Sequence, residues 1–265
     1  MISLWVKAPG HPARKEILTQ KSRLRSGSIL PGSTLESCTL LEPFRSALLA
    51  GALCLCGCTV APAPTSPSAL PTAASAADGF EPAFYRALLQ NGYEAPNQLE
   101  PIRLLRGPLR FYLKSLDDTG RAIDAATLDA TERTLIDSVW TWSGGTFGVA
   151  EVARGAGTRE NARGWITVRW TAASRNGQCG RSTVGVDGGF IELDASGACG
   201  CGMATLIYPR LVRHEVGHAI GYYHTDRVDD VMYGRAVSPD ACDLRPSDRE
   251  RLHAKFAHSA LPASP

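Results

Sequence analysis

The chain has 265 residues, with 28 Lys and Arg against 26 Asp and Glu, a formal net charge of +2. So even a balance excludes a surface that tracks polyanions, and no nucleic acid is expected as a partner. The length accommodates a leader followed by one domain large enough to bury about 70% of its unfolded surface.

Met1 to about Phe44 carries scattered Lys and Arg without clear periodicity. It is either a long n-region or sequence ahead of a true start in the thirties or forties. After Arg45, Ala47 to Cys58 reads Ala-Leu-Leu-Ala-Gly-Ala-Leu-Cys-Leu-Cys-Gly-Cys. That apolar run is too short to cross a bilayer and has the length of a signal peptide's hydrophobic region. Its end, Leu55-Cys56-Gly57-Cys58, resembles a bacterial lipobox, although Cys56 stands where alanine or serine is more usual. The alternative is a plain secretory signal cut near Ala73-Ala74-Ser75-Ala76. Thr59 to Ala77 is uncharged and dominated by Pro, Ala, Ser and Thr, so it reads as a semi-extended tether with too little apolar surface to fold. The organisation expected is a leader and lipoprotein-type signal over 1–58, a tether over 59–80 and one folded domain over 81–262. The mature chain would begin at a lipidated Cys58 and be anchored in an outer membrane, facing the periplasm or the cell surface. Secretion is the alternative.

Within the domain, Leu109-Arg110-Phe111-Tyr112-Leu113 alternates after Pro108, as a first strand would. Asp124 is the expected N-cap of a helix to about Trp142, with Leu128, Leu135, Ile136, Val139 and Trp140 on one side and Gly144-Gly145 ending it. Phe147, Val149 and Val152 mark a second strand. Trp165 to Trp170 marks a third, with Ile166, Val168 and Trp170 on one face. Phe190-Ile191-Glu192-Leu193 is the fourth, bounded by glycines. Cys179, Cys199, Cys201 and Cys242 are an even set in an exported domain, which predicts two disulfides. A Cys199–Cys201 bridge would close a strained ring, so each is expected to pair with Cys179 or Cys242, in an order left open. A metal–thiolate cluster is the competing reading.

His214-Glu215-Val216-Gly217-His218-Ala219-Ile220-Gly221-Tyr222-Tyr223-His224 follows, on a helix expected to begin between Thr205 and Pro209. Residues four apart share a helix face, so His214 and His218 can address one metal ion, with the Glu215 carboxylate beside them. Gly221 accepts backbone angles that end a helix, and the turn it permits can bring His224 back as a third nitrogen. Three protein ligands with one open position make a catalytic zinc site, where structural sites are closed by four. Asp230-Val231-Met232-Tyr233-Gly234 comes shortly after. A last helix is signalled by the Ser247/Glu250 capping box and runs to about His258.

The long histidine motif followed by Met232 resembles the metzincin metalloproteases, and the directly joined Met232-Tyr233 resembles their matrixin branch. The other metzincin branches place a metal-reaching tyrosine one residue later, where this chain has Gly234. His11, His253 and His258 are too few and too scattered for a second, structural zinc, and no cysteine-switch segment precedes the motif. The resemblance implies an α+β fold: a twisted, mostly parallel sheet with an antiparallel edge strand, a zinc helix, a Met-turn and a C-terminal helix. It also implies one zinc held by His214, His218 and His224, Glu215 as general base, and Met232 packed beneath the ligands; calcium is left open. Substrate, a protein or peptide, would lie along the edge strand before the zinc helix, Phe190, Ile191, Glu192 and Leu193. A monomer that hydrolyses peptide bonds is expected. The alternatives are a non-catalytic envelope lipoprotein binding peptide or zinc, and a zinc amidase acting on cell-wall peptides.

Overall fold

The computed structural model describes residues 2–3, 79–173, 177–197, 207–235 and 241–260. The expected signal and lipobox, residues 59–78 of the expected tether, and Cys199 and Cys201 lie outside the described residues. Phe80, placed at the end of the tether, instead packs against the core beside His253 and Phe256. The elements are β1 (Ile2–Ser3), α1 (Pro82–Gln90), β2 (Leu109–Asp117), α2 (Ala125–Trp142), β3 (Val149–Gly155), β4 (Trp165–Thr171), β5 (Gly180–Ser182), β6 (Phe190–Asp194), α3 (Pro209–Ile220) and α4 (Asp248–Ala260).

The strands form one sheet in the order β1-β5-β6-β4-β2-β3. Its centre is parallel, with β2 pairing β3 and β4, and β4 pairing β6. At one side β5 runs antiparallel to β6, and Ile2–Ser3 adds antiparallel to β5. The mostly parallel sheet with antiparallel pairing at one edge is the expected architecture. One assignment needs correction. Phe190, Ile191, Glu192 and Leu193 are not an edge, because β6 bonds β4 on one side and β5 on the other. All five residues of β6 are buried, and β5 lies outside it.

The sequence reasons for the helices are visible in their caps. The Asp124 side chain accepts the Thr127 amide N–H at 2.8 Å, and Leu128, Leu135, Val139 and Trp142 bury one stripe of α2. Ile136 and Trp140 do not belong to that stripe; they are 45% and 59% exposed. Each follows a core residue by one position, which turns it about 100° away around the helix. Ser247 and Glu250 form the reciprocal box, with Glu250 N–H donating to Ser247 Oγ at 3.2 Å and Ser247 N–H donating to Glu250 Oε2 at 2.8 Å. Helix α1 was absent from the sequence reading. It starts at Pro82, buries Phe84, Tyr85, Leu88 and Leu89, and ends at Asn91, whose φ of 57° is left-handed.

Helices α2 and α3 are locked by side-chain bonds. Trp142 Nε1 donates to the Arg213 carbonyl at 2.9 Å, and the Tyr222 hydroxyl donates to the Trp142 carbonyl at 2.7 Å. His258 of α4 packs edge-on against Phe147, with centroids 5.3 Å apart. Burial, aided by nearby Arg106, pushes the His258 imidazole down to about 4. Its folded pKa lies below the unfolded value, so the unfolded chain takes the proton first and stability falls as pH drops from about 6.5 to about 4. The expected loss from this group is at most about 3 kcal/mol. Thermal melts between pH 7.5 and pH 4 should show it, and His258→Leu should flatten part of the slope.

Candidate metal centre

Helix α3 begins at Pro209, inside the expected window, and places His214 and His218 one turn apart with ring centroids separated by 4.6 Å. The helix stops at Gly221, whose φ is 131°. A side chain there would be strained, and its Cβ would also lie 2.1 Å from the Arg103 carbonyl oxygen. Beyond it the Tyr223 amide N–H donates to the Leu88 carbonyl at 2.7 Å. That brings His224 in at 5.2 Å from His214 and 4.7 Å from His218, centroid to centroid. All three histidines are buried, and one nitrogen from each lies within 4.8 Å of the others. Among the described residues this is the single convergent group of His, Cys, Asp or Glu side chains.

Each ring has its Nδ1 tied from behind. His214 Nδ1 donates to the Val231 carbonyl at 2.7 Å, and His218 Nδ1 donates to the Tyr222 carbonyl at 2.7 Å. His224 Nδ1 meets Glu94 Oε1 at 2.5 Å. A carbonyl oxygen only accepts, so His214 and His218 carry their proton on Nδ1 and turn the Nε2 lone pair inward. His214 Nε2 is buried without a hydrogen-bond partner, and His218 Nε2 lies 3.1 Å from His224 Nε2. Burial is the largest cause holding His214 and His218 well below the usual histidine range, and neighbouring imidazoles add to it. The neutral His214 and His218 rings with inward lone pairs, and a third imidazole fixed from behind by a carboxylate, are the donor set a divalent cation with an affinity for nitrogen requires. The residues fit a metal ion.

Glu215 is fully buried beside this cluster. Its Oε2 accepts the Ser182 hydroxyl at 2.7 Å, and its Oε1 is buried and unpartnered. Gly180 lies over that free oxygen so closely that a Cβ there would sit 2.5 Å from it. Burial pushes the carboxyl up to about 8, with the Ser182 bond opposing and Glu192 adding to the rise. A cation held by the three imidazoles would draw it down.

The turn after His224 is built from buried polar groups. Thr225 N–H donates to the Met232 carbonyl at 2.9 Å. The Val231 and Met232 amides donate to the two oxygens of Glu250 at 3.0 and 2.8 Å, so the carboxylate that caps α4 also holds this turn. Asp230 accepts from the Thr225 hydroxyl, the Ser247 hydroxyl and the Arg249 guanidinium. Met232 is fully buried, and a Cβ on Gly217 would meet its Sδ at 2.5 Å. Met232 therefore packs against α3 between the two helical histidines and does not join the donor set. Gly234 backs the third ring, where a Cβ would lie 2.7 Å from His224 Nδ1.

Of the strand expected to take substrate, only Glu192 has a polar role. Its carboxylate bridges Arg169 at 2.9 Å and Arg181 at 2.5 Å. Cys179 and Cys242 are buried and both are disulfide-bonded. Sequence reasoning missed Gly180, Ser182 and Glu94. The first two sit on a three-residue strand with no apolar alternation, and Glu94 lies in a loop without periodicity.

No family model matches the chain, and no curated protein matches it by sequence. Among solved structures, the crystal structure of metalloproteinase-II from Bacteroides fragilis aligns at 14% identity with a TM-score of 0.39, over 57% of this chain and 53% of that one. The chain thus spans about half the length of that structure.

Proposed function

We propose that the chain is a zinc-dependent endopeptidase of the metzincin type, closest to the matrixin branch. The observation that carries this reading is the convergence of three histidines, each fixed from behind, beside a buried carboxylate with one free oxygen. Zinc-binding alone would need no such carboxylate. His214, His218 and His224 would hold the ion, which when bound acidifies a water molecule and polarises a carbonyl. Glu215 Oε1 is the acceptor for the water's proton and can pass it on to the leaving amine. The Ser182 hydroxyl, by holding Oε2, orients the other oxygen toward the reacting atoms. Gly180 keeps that oxygen uncovered by any side chain of its own.

The substrate would lie along β5, not along Phe190–Leu193. Residues 180–182 border Glu215, and their outer edge, paired with Ile2–Ser3 in the full chain, would be open to extended substrate backbone in a chain beginning at Cys58. Main-chain pairing of that kind recognises a peptide and has no counterpart in an ester or a sugar. Met232 followed by Tyr233, with side-chain-free Gly234 against His224, supports the matrixin-like branch. A lipid anchor at Cys58 belongs to the same proposal, and mass spectrometry of the N-terminal peptide tests it.

Dialysis against a chelator is expected to abolish casein digestion, and one equivalent of zinc to restore it. Digestion that survives complete metal removal would refute the reading. Metal binding with no cleavage of casein or peptides would favour a binding protein.

A further inference from the structure

We propose that Glu94 is the positioning residue of the metal centre: its carboxylate accepts the Nδ1–H of His224 and fixes which ring nitrogen faces the ion. This rests on the metal-centre reading above. The other two histidines are backed by carbonyls, one of them four residues from its ring. His224 has a carboxylate behind it, brought from 130 residues away. A carboxylate accepts that proton more strongly than a carbonyl and makes the ring a better donor on its far side.

The loop carrying Glu94 is anchored independently of that bond. Asn91 caps α1, and Ala95 N–H donates back to the Asn91 carbonyl at 2.9 Å. Glu100 N–H donates to the Gln90 carbonyl at 2.9 Å, and Glu100 Oε2 accepts the Tyr223 hydroxyl at 2.9 Å. The carboxylate is thus presented to His224 by a closed loop, where a freely swinging surface side chain would lose entropy on pairing. Metal binding and docking of this loop become linked. An ion on Nε2 favours the Nδ1–H tautomer that Glu94 recognises, and the loop favours the ion by the same factor.

The test measures zinc affinity of the full chain by competition with a chromophoric chelator, for wild type, Glu94→Ala, Glu94→Gln and Glu100→Gln. Cobalt(II) spectra report ligand geometry in parallel. Glu94→Ala should bind zinc about 10–100-fold more weakly. Glu94→Gln, whose amide oxygen still accepts the Nδ1–H, should recover most of that loss. Glu100→Gln, which disturbs the same loop without touching an imidazole, should bind within about twofold of wild type. Zinc should also slow proteolytic nicking between Asn91 and Glu100 in wild type and not in Glu94→Ala. Equal affinities in wild type and Glu94→Ala would overturn the proposal, as would an equal loss in Glu100→Gln. Higher peptidase activity in Glu94→Ala would instead make Glu94 a blocking group and overturn it too. Wild type that binds no zinc would defeat the metal-centre reading itself, a separate outcome.

Discussion

Glu215→Ala is expected to lower peptide cleavage by on the order of 10³-fold while leaving metal content unchanged. Glu215 lies outside the donor set, so removing it deletes the proton acceptor and leaves the three imidazoles in place. Among the described residues its side-chain partner is the Ser182 hydroxyl, which can turn to the Glu215 carbonyl it already approaches at 3.1 Å. His218→Ala separates the two roles. It should lose metal and activity together, because two imidazoles hold an ion poorly. The comparison is made by metal analysis and cleavage of a quenched peptide on the same preparations. Normal cleavage by Glu215→Ala would end the proposed role of the carboxylate.

The second large effect is expected in stability. Glu250 is fully buried and accepts from Val231 N–H, Met232 N–H and Ser247 N–H. Alanine there would strand three amide donors, each costing about 1–3 kcal/mol when unsatisfied. A loss of about 3 kcal/mol or more is expected, which lowers Tm by roughly 6–12 °C for a domain of this size. Since the same amides shape the turn bearing Met232 and back His214 through Val231, metal affinity should fall with stability. Glu250→Gln keeps one acceptor oxygen and should lose about half as much. Calorimetry with and without zinc checks both parts. An unchanged Tm in Glu250→Ala would show that the turn is held by other contacts.

The parts of this protein legible in sequence are those written in local patterns. The helix carrying His214, Glu215 and His218, the Gly221 stop, the Asp124 cap and the Ser247/Glu250 box each occupy a few consecutive positions, and the structure has them where the residues put them. The order of strands is different in kind. Phe190 to Leu193 reads as a strand, yet nothing in its four residues tells an edge from an interior position. The strand outside it, Gly180–Ser182, is too short and too polar to announce itself. Glu192, in the middle of that strand, is consumed by Arg169 and Arg181. Ile136 and Trp140 sit one step off the buried stripe of α2, a displacement that a list of apolar residues does not register. Glu94 was invisible for the plainest reason: its partner is 130 residues away and only the fold brings them together.

X-ray absorption at the zinc edge of the metal-loaded chain tests the central claim most directly. Three imidazole nitrogens at about 2.0–2.1 Å with one further light atom, and no sulfur, is the shell that His214, His218 and His224 should give. Sulfur scatterers near about 2.3 Å would place the metal on cysteines instead, and would contradict the account.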